Sequence, residues 1–458
     1  MTLQKQSQVT NEILQGNLVK LMFKLSIPSI LGILMLSLNT FFDALFAGQF
    51  IGTNALAGIS LALPLTGIVD GFALLIGVGS ASVLSRAIGS GDIKTQSKLF
   101  GNLTVMGIVI SFLITIIGYS FSEELIVFMG GSGEVASAGT EYFKIYILGS
   151  IFYILALSSS EIIKAEGKIR LATGFELIFV LINIILNSIF ITVFHWGIEG
   201  IAIATVIAMV FYSIFNFTYF LSGKSSTPIN LKKLALAIDL LPAIFSVGIS
   251  SLLFPIMGFI QNFVIYQSIS HYGTNNDIAF FGATVRLTSF FLIPLYGIAQ
   301  ALQPIIGINY GAKNYHRLKK AYLTFAAMGV ILLILIWLPL QLLPKTFLGL
   351  LLPDVIFTKN DIFNFRILSL LIPIWPLAIF GNTLFQSIGK GKIVVTVILL
   401  RSLLLFLPFV LIMSKILGLI GIYYGIFLTE FLVGIIALIL ICLEFRTFSQ
   451  ITNEKLSL

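Results

Sequence analysis

The sequence predicts an all-α integral membrane protein, with twelve transmembrane helices in two six-helix lobes related by a pseudo-two-fold axis along the membrane normal. Three observations lead there. The 458 residues are 58% hydrophobic and only 10% charged, with a mean hydropathy of +1.05; a soluble domain carries about 25% charged residues. The apolar residues fall into twelve runs, each long enough to cross a bilayer as a helix. The chain also repeats itself. Gly89 and Gly311, Met106-Gly107 and Met328-Gly329, and Gly167-Lys168 and Gly389-Lys390 are each 222 positions apart, and Gly197 and Gly200 return as Gly418 and Gly421 after 221. A constant offset across unrelated helices marks a duplicated six-helix unit, and because six is even both copies insert the same way round.

Glycine, proline and charge clusters set the ends of the spans. The first, 20–47, carries Asn39, Thr40 and Asp43 deep inside it on one helical face. A carboxylate at that depth costs about 2.5–3.5 kcal/mol on insertion scales and is tolerated where it meets a partner or a water-filled cavity. The second, 56–85, sets Asp70 beside Gly67 and Gly71, a small-residue spacing that lets another helix approach, so Asp70 reads as a buried partner or as part of a site. The third and fourth, 99–121 and 141–163, hold no deep charge, since Lys144 lies near an end where it can snorkel. In the fifth, 171–194, Glu176, Asn183 and Asn187 are spaced by seven and then four, one polar stripe through Ile, Leu, Phe and Val. Such a stripe either ties helices together or lines a wet pocket with Asn39 and Asp43. The sixth, 198–221, runs into the polar segment Ser222–Lys233. The chain therefore divides into a first lobe at 1–221, a linker at 222–238, and a second lobe with a short tail at 239–458.

The second lobe opens with 239–268, where Gln261 and Asn262 stand in place of acids. Span 278–309 holds Arg286, Gln300 and Gln303; 319–343 follows, and 363–387 carries Arg366 near its end. The last two, 393–414 and 418–442, hold Arg401 and Glu430 at comparable depth. They are expected to form a structural ion pair, because an unpaired buried charge is very costly. Asp43, Asp70, Glu176, Asn183 and Asn187 are thus the candidates for cation or proton coupling. Asn39, Thr40, Gln261, Asn262, Arg286, Gln300 and Gln303 are the candidates for a substrate cavity.

Positive charge crowds the segments on one side: Lys5, Lys20 and Lys24; Arg86, Lys94 and Lys98; Lys164, Lys168 and Arg170; Lys224, Lys232 and Lys233; Lys313, Arg317, Lys319 and Lys320; Lys390 and Lys392; Arg446 and Lys455. The opposite loops hold only Lys345, Lys359 and Lys415. Both termini are therefore expected in the cytoplasm, with the protein multi-pass in the cytoplasmic (inner) membrane. The net charge of +8 needs no nucleic-acid partner to explain it. Met1–Gly16 is polar and lacks the apolar core of a signal peptide. The single Cys442 excludes an internal disulfide, and His195, His271 and His316 match no metal-ligand spacing. Gly223-Lys224-Ser225 is not a phosphate loop, since Thr218 fills the leading glycine position, and no hydrolase signature occurs. No metal or cofactor is expected, and an ion gradient has to supply the energy. The expected partners are a small organic substrate, a proton or sodium ion and membrane lipid, with the protein a monomer.

The motifs, taken in order, are more telling than any one of them. The first copy runs through Ser26-Ile27-Pro28, Asp43, Gly48, Ala57-Gly58, Pro64, Gly77-Val78-Gly79, Ser85-Arg86, Gly91-Asp92, Glu141-Tyr142, Ala165-Glu166-Gly167 and Asn183-Ile184-Ile185-Leu186. The second holds Gly297-Ile298-Ala299-Gln300-Ala301-Leu302-Gln303-Pro304, then Gly307 to Tyr315, and Arg401 with Phe406 and Pro408. Over almost its whole length the chain resembles the multidrug and toxic compound extrusion (MATE) family, in the bacterial branch near the DNA-damage-inducible and multidrug-export members. The resemblance implies two lobes in a V that export organic, often cationic, drugs in exchange for protons or sodium. It places Asp43 on the first-helix aspartate of cation coupling, Asn183 on the asparagine of the same pocket, and Glu430 where the family has Asp. The chain departs from the pattern at Asn187, where the family often has Asp, and at Asn39, where the branch often has Tyr. It also adds Asp70 and Glu176, which become the candidates to replace the missing acid. Without a carboxylate at 187 a two-acid sodium site is poorly supported, and proton coupling through Asp43 is the expectation. The alternative with the same plan is a flippase for a lipid-linked or amphipathic precursor, which would want a cavity rich in Arg and Lys. An integral-membrane enzyme would need a nucleophile, metal or acid pair at the membrane face.

Overall fold

The computed structural model describes residues 2–227, 235–353 and 355–456. Lys232 and Lys233 of the linker, and the side chains of Lys5 and Lys455, lie outside the described residues. In chain order the helices are α1 (Thr2–Gln15), α2 (Leu18–Phe46), α3 (Thr53–Ser90), α4 (Ile93–Ser120), α5 (Ser122–Phe128), α6 (Gly133–Leu148), α7 (Ser150–Ala165), α8 (Ile169–Thr192) and α9 (Gly197–Leu221). There follow α10 (Leu241–Tyr272), α11 (Asn275–Gly311), α12 (Tyr315–Leu342), α13 (Pro344–Gly349), α14 (Lys359–Ser369), α15 (Trp375–Ser387), α16 (Gly391–Leu399), α17 (Leu407–Leu417) and α18 (Leu419–Leu456). Among the described residues eleven helices, joined across short breaks where needed, are long and apolar enough to cross a membrane, and α6 with α7 makes a twelfth. The fold is all-α and integral to the membrane, as the hydropathy requires. Two apolar cores form, one drawn from residues 47–244 and one from 257–448; the second also takes in Ile169 and Ile13 to Leu25 from the first half of the chain.

Four features differ from the sequence reading, each for a local reason. The polar segment Met1–Gly16 contributes α1, whose Ile13 is fully buried and whose Ile13 carbonyl accepts from Arg317 Nε at 2.8 Å. The fourth span begins earlier, at Gly133, and bends by 58° between α6 and α7. Gly149 at the bend leaves room for α9, since a Cβ there would sit 2.7 Å from Val206 Cγ2. The ends of several spans run on past their apolar residues, as in α3 and α18, because helical hydrogen bonding continues until a cap or glycine stops it. Lys164, read as a loop charge, belongs to α7 and is buried.

The repeat is visible in the backbone. Gly167 and Gly389 both take left-handed φ, at 79° and 83°, which a residue with a Cβ adopts at a penalty. Each ends a helix before a sharp return. At the same offset Asp92 and Asn314 cap α4 and α12, accepting from the backbone N–H of Thr95 and Arg317. The Thr95 hydroxyl and amide hold the exposed Asp92 carboxyl below its ordinary value.

The two halves meet along a glycine seam on the side of the membrane that holds the termini. A Cβ at Gly89 would lie 2.0 Å from the Ile308 carbonyl oxygen, and one at Gly311 would lie 2.1 Å from that of Arg86. The offset of 222 exchanges these two contacts, which is the mark of a two-fold axis between them. Beside them a Cβ at Gly79 would lie 2.4 Å from the Ile244 carbonyl oxygen, and one at Gly248 would lie 2.1 Å from that of Leu75. Ser82 Oγ donates to the Gln386 carbonyl at 2.5 Å across the same seam. Gly248→Val must push α3 and α10 apart, at an overpacking cost of about 1–3 kcal/mol. The expected result is an opened seam: with Cys442→Ala as background, Gln303→Cys becomes labelled faster by an impermeant maleimide from the terminal side. An unchanged labelling rate would contradict the packing.

Candidate functional site

Within the first lobe, α2, α3, α6, α7, α8 and α9 surround a cavity of about 80 Å³. Asn39, Thr40 and Asp43 line it from α2, as the shared helical face requires. Asp43 is 4% exposed. Its Oδ1 accepts from Asn187 Nδ2 at 2.6 Å, and the same nitrogen donates to Asn183 Oδ1 at 3.0 Å. Asn183 Nδ2 donates in turn to Thr205 Oγ1 at 3.0 Å, and the Thr205 hydroxyl donates to the Ile201 carbonyl at 2.9 Å. The spacing of four between Asn183 and Asn187 lets one helix present both amides to one acid. Among the described residues the hydrogen-bond partner of Asp43 is neutral, and no Lys or Arg lines the cavity. Two amide oxygens, Asn39 Oδ1 and Asn187 Oδ1, are buried without a partner. Leaving a buried acceptor unpaired costs about 1–3 kcal/mol. A proton on Asp43, or a cation beside it, offers what those oxygens lack.

Asp70 lines the same cavity from α3, together with Tyr142, Tyr146 and Tyr153. The neighbouring Gly71 packs on Leu252 and Pro255 of α10, so this acid sits where the first lobe touches the second. Glu176 is not part of this group. Its Oε1 accepts from Lys164 Nζ at 2.8 Å and from Ser160 Oγ at 3.0 Å. Seven residues separate it from Asn183, a rise of about 10 Å along the helix. The stripe is continuous, but its lower end lies level with the last turn of α7.

A second cavity, of about 280 Å³, lies between the lobes just inside the seam. Gln300 and Gln303 line it from α11. Gln300 bridges the lobes: its Oε1 accepts from Ser29 Oγ at 2.6 Å, and its Nε2 donates to Glu161 Oε1 at 3.1 Å. Gln303 Nε2 donates to Ser85 Oγ at 3.3 Å. A third cavity, of about 210 Å³, lies within the second lobe and takes in Gln261, Asn262, Arg401 and Glu430. Gln261, Asn262 and Ile265 stand 222 positions after Asn39, Thr40 and Asp43, so isoleucine replaces the acid in the second copy. Arg401 donates to Glu430 Oε1 through Nε at 2.8 Å and Nη2 at 2.6 Å. It sits in a wide-turn, π-helical stretch over Leu400–Phe406, an irregularity that re-aims side chains within a helix. Arg286 is exposed and lines none of the three cavities.

The candidate substrate residues are therefore spread over three places: Asn39 and Thr40 with Asp43, Gln300 and Gln303 between the lobes, and Gln261 and Asn262 in the second lobe. Sequence reasoning missed the three tyrosines around Asp43, and Tyr142 and Tyr146 at a spacing of four were the available signal. It missed the Glu161–Lys164 pair for want of a reason to bury Lys164. The Gly223-Lys224-Ser225 segment serves structure: the hydroxyls of Ser225 and Ser226 donate to Glu166, at 2.5 and 2.7 Å. No cluster of three metal-ligating side chains occurs among the described residues.

Comparison with known proteins agrees with this architecture. The MatE family model matches residues 28–189 and 242–412. The chain is similar to multidrug export protein MepA of Staphylococcus aureus (strain MRSA252), 25% identical over 437 residues that cover 95% of this chain and 96% of that one. Among solved structures it is similar to MATE in the bent conformation, with a TM-score of 0.91 at 23% identity, over 97% of this chain and 99% of the other. It is also similar to the outward-facing conformation of a multidrug resistance MATE family transporter, with a TM-score of 0.87 at 23% identity, over 96% and 98%.

Proposed function

This chain belongs to the MatE family of multidrug and toxic compound extrusion transporters, and we propose that it exports organic, often cationic, drugs in exchange for protons, with Asp43 as the coupling carboxylate. The observation that carries the reading is the setting of Asp43: a buried acid whose hydrogen bond comes from the neutral amide of Asn187, with no Lys or Arg among the described residues lining its cavity, beside amide oxygens that lack a donor. Desolvation favours the protonated acid, and a nearby positive charge favours the ionised one. A proton and a cationic drug then compete, by contact or through the packing of α2. The cavity around Asp43, at about 80 Å³, suits an ion or a few waters, far below the roughly 300–1,000 Å³ of drug-sized sites. The drug therefore occupies the larger spaces, and Asp43 acts on it through helix packing. With Asn187 in place of an acid, α8 offers Asp43 only neutral oxygens, and the second acid of the cavity, Asp70, stands on α3; this arrangement favours a proton over sodium as the coupling ion.

In this reading the lobes at 1–221 and 239–458 rock about the seam, and 222–238 is the tether between them. The protein lies in the cytoplasmic membrane as a monomer with both termini in the cytoplasm. The closed seam then seals the cytoplasmic side, which makes the conformation outward-facing. A flippase for an anionic lipid-linked precursor would want free cations in the cavities. Arg401 is instead held by Glu430, and Lys164 by two carboxylates.

Proteoliposomes loaded with ethidium test the reading. An imposed proton gradient is expected to drive ethidium transport, and a sodium gradient at constant pH is expected to drive little. Transport that follows sodium alone would reassign the coupling ion, and transport that ignores both gradients would overturn the antiport reading.

A further inference from the structure

We propose that Glu161 is the anionic contact for positively charged substrates in the cavity between the lobes; the inference rests on the export reading above and assigns it a residue. Glu161 is the only charged side chain among the described residues lining that cavity. It lies in the last turns of α7 and is 7% exposed. Lys164 does not neutralise it alone, because one ammonium is shared between two carboxylates, 3.0 Å from Glu161 Oε1 and 2.8 Å from Glu176 Oε1. With all three ionised the cluster carries one surplus negative charge. Glu176 cannot present that charge to a ligand. Its side chain is 1% exposed and lies under Gly32, where a Cβ would meet its Oε2 at 2.3 Å. Glu161 faces the cavity, so the surplus is expressed there.

The surroundings fit an organic cation. Glu161 Oε1 receives the neutral amide of Gln300 at 3.1 Å, and no described group donates to its Oε2. Phe254 and Tyr296 add aromatic surface, and Gln303 and Gln386 add amides that bring no competing charge. Aromatic rings beside one carboxylate recognise a cation by charge and by π-face attraction. This cavity shares no lining residue with the one around Asp43. Two acids thus divide the work, Asp43 for the ion and Glu161 for the substrate. A cation that takes over the place of the Gln300 amide also loosens one bond between α11 and the first lobe, which ties substrate binding to the seam.

Tetraphenylphosphonium binding to purified protein, measured by equilibrium dialysis, tests the proposal. Glu161→Gln removes the surplus charge and leaves Lys164 paired one-to-one with Glu176. Its dissociation constant is expected to rise at least about tenfold, equivalent to about 1.4 kcal/mol. Glu161→Asp keeps the charge and is expected to recover affinity to within about threefold of wild type, or about 0.7 kcal/mol. Wild-type affinity in Glu161→Gln would overturn the proposal and leave the export reading standing, as would failure of Glu161→Asp to bind better than Glu161→Gln. Wild-type protein that neither binds tetraphenylphosphonium nor transports any organic cation would overturn both.

Discussion

Asp43→Asn is expected to abolish gradient-driven drug accumulation in proteoliposomes while the protein folds and inserts normally. Asparagine has nearly the shape of aspartate and still accepts from Asn187 Nδ2, which lies 2.6 Å from the acid. It cannot take up or release a proton. No Lys or Arg among the described residues lining the pocket is stranded by the change, so stability is expected to hold or rise. An uncoupled carrier still moves drug down its own gradient, so equilibrium exchange of labelled for unlabelled ethidium is expected to persist while uphill transport falls to background. A variant that accumulates drug as wild type does would remove Asp43 from the coupling step. In cells the same change is expected to return drug susceptibility to that of an efflux-deficient host.

Lys164→Met is expected to have the largest effect on stability. It leaves Glu161 and Glu176 buried near each other with no ammonium between them. Removing one partner from a buried ion pair costs about 3–5 kcal/mol, because the remaining charge stays desolvated. The result should be a clear fall in apparent melting temperature and yield. Lys164→Met combined with Glu161→Gln and Glu176→Gln is expected to recover most of the loss, since no charge is then stranded. A single variant that melts with wild type would mean that one carboxylate is protonated already and that the ammonium is dispensable.

Much of the fold is legible in the amino-acid sequence. The spans follow from hydropathy, and the repeat follows from glycines whose purpose is backbone geometry: Gly167 and Gly389 recur because each holds a left-handed turn. Arg401 and Glu430 can be paired from depth alone. Asp43, Asn183 and Asn187 can be grouped because helical spacing puts them on facing stripes. What escapes the sequence depends on height within the membrane and on which helices bend. Glu176 shares a stripe with Asn183, but its partner is set by α7, whose last turn is brought level with it after the bend at Gly149. Lys164 sits three residues before Gly167-Lys168 and looks like the start of a basic loop. Only the neighbouring carboxylates justify burying it. Tyr142, Tyr146 and Tyr153 resemble ordinary packing aromatics, and only the spacing of four between the first two hints that they wall the cavity around Asp43. The division of polar residues into three cavities is a property of lobe packing, which pattern along one chain does not encode.

The most direct test of the coupling is proton release on substrate binding. Purified protein in weakly buffered, sodium-free detergent solution, titrated with tetraphenylphosphonium and read with a pH indicator, should release protons as the cation binds. Asp43→Asn, saturated with the same cation, should release none. Equal release from both proteins would show that the exchanged proton sits elsewhere and would contradict the account.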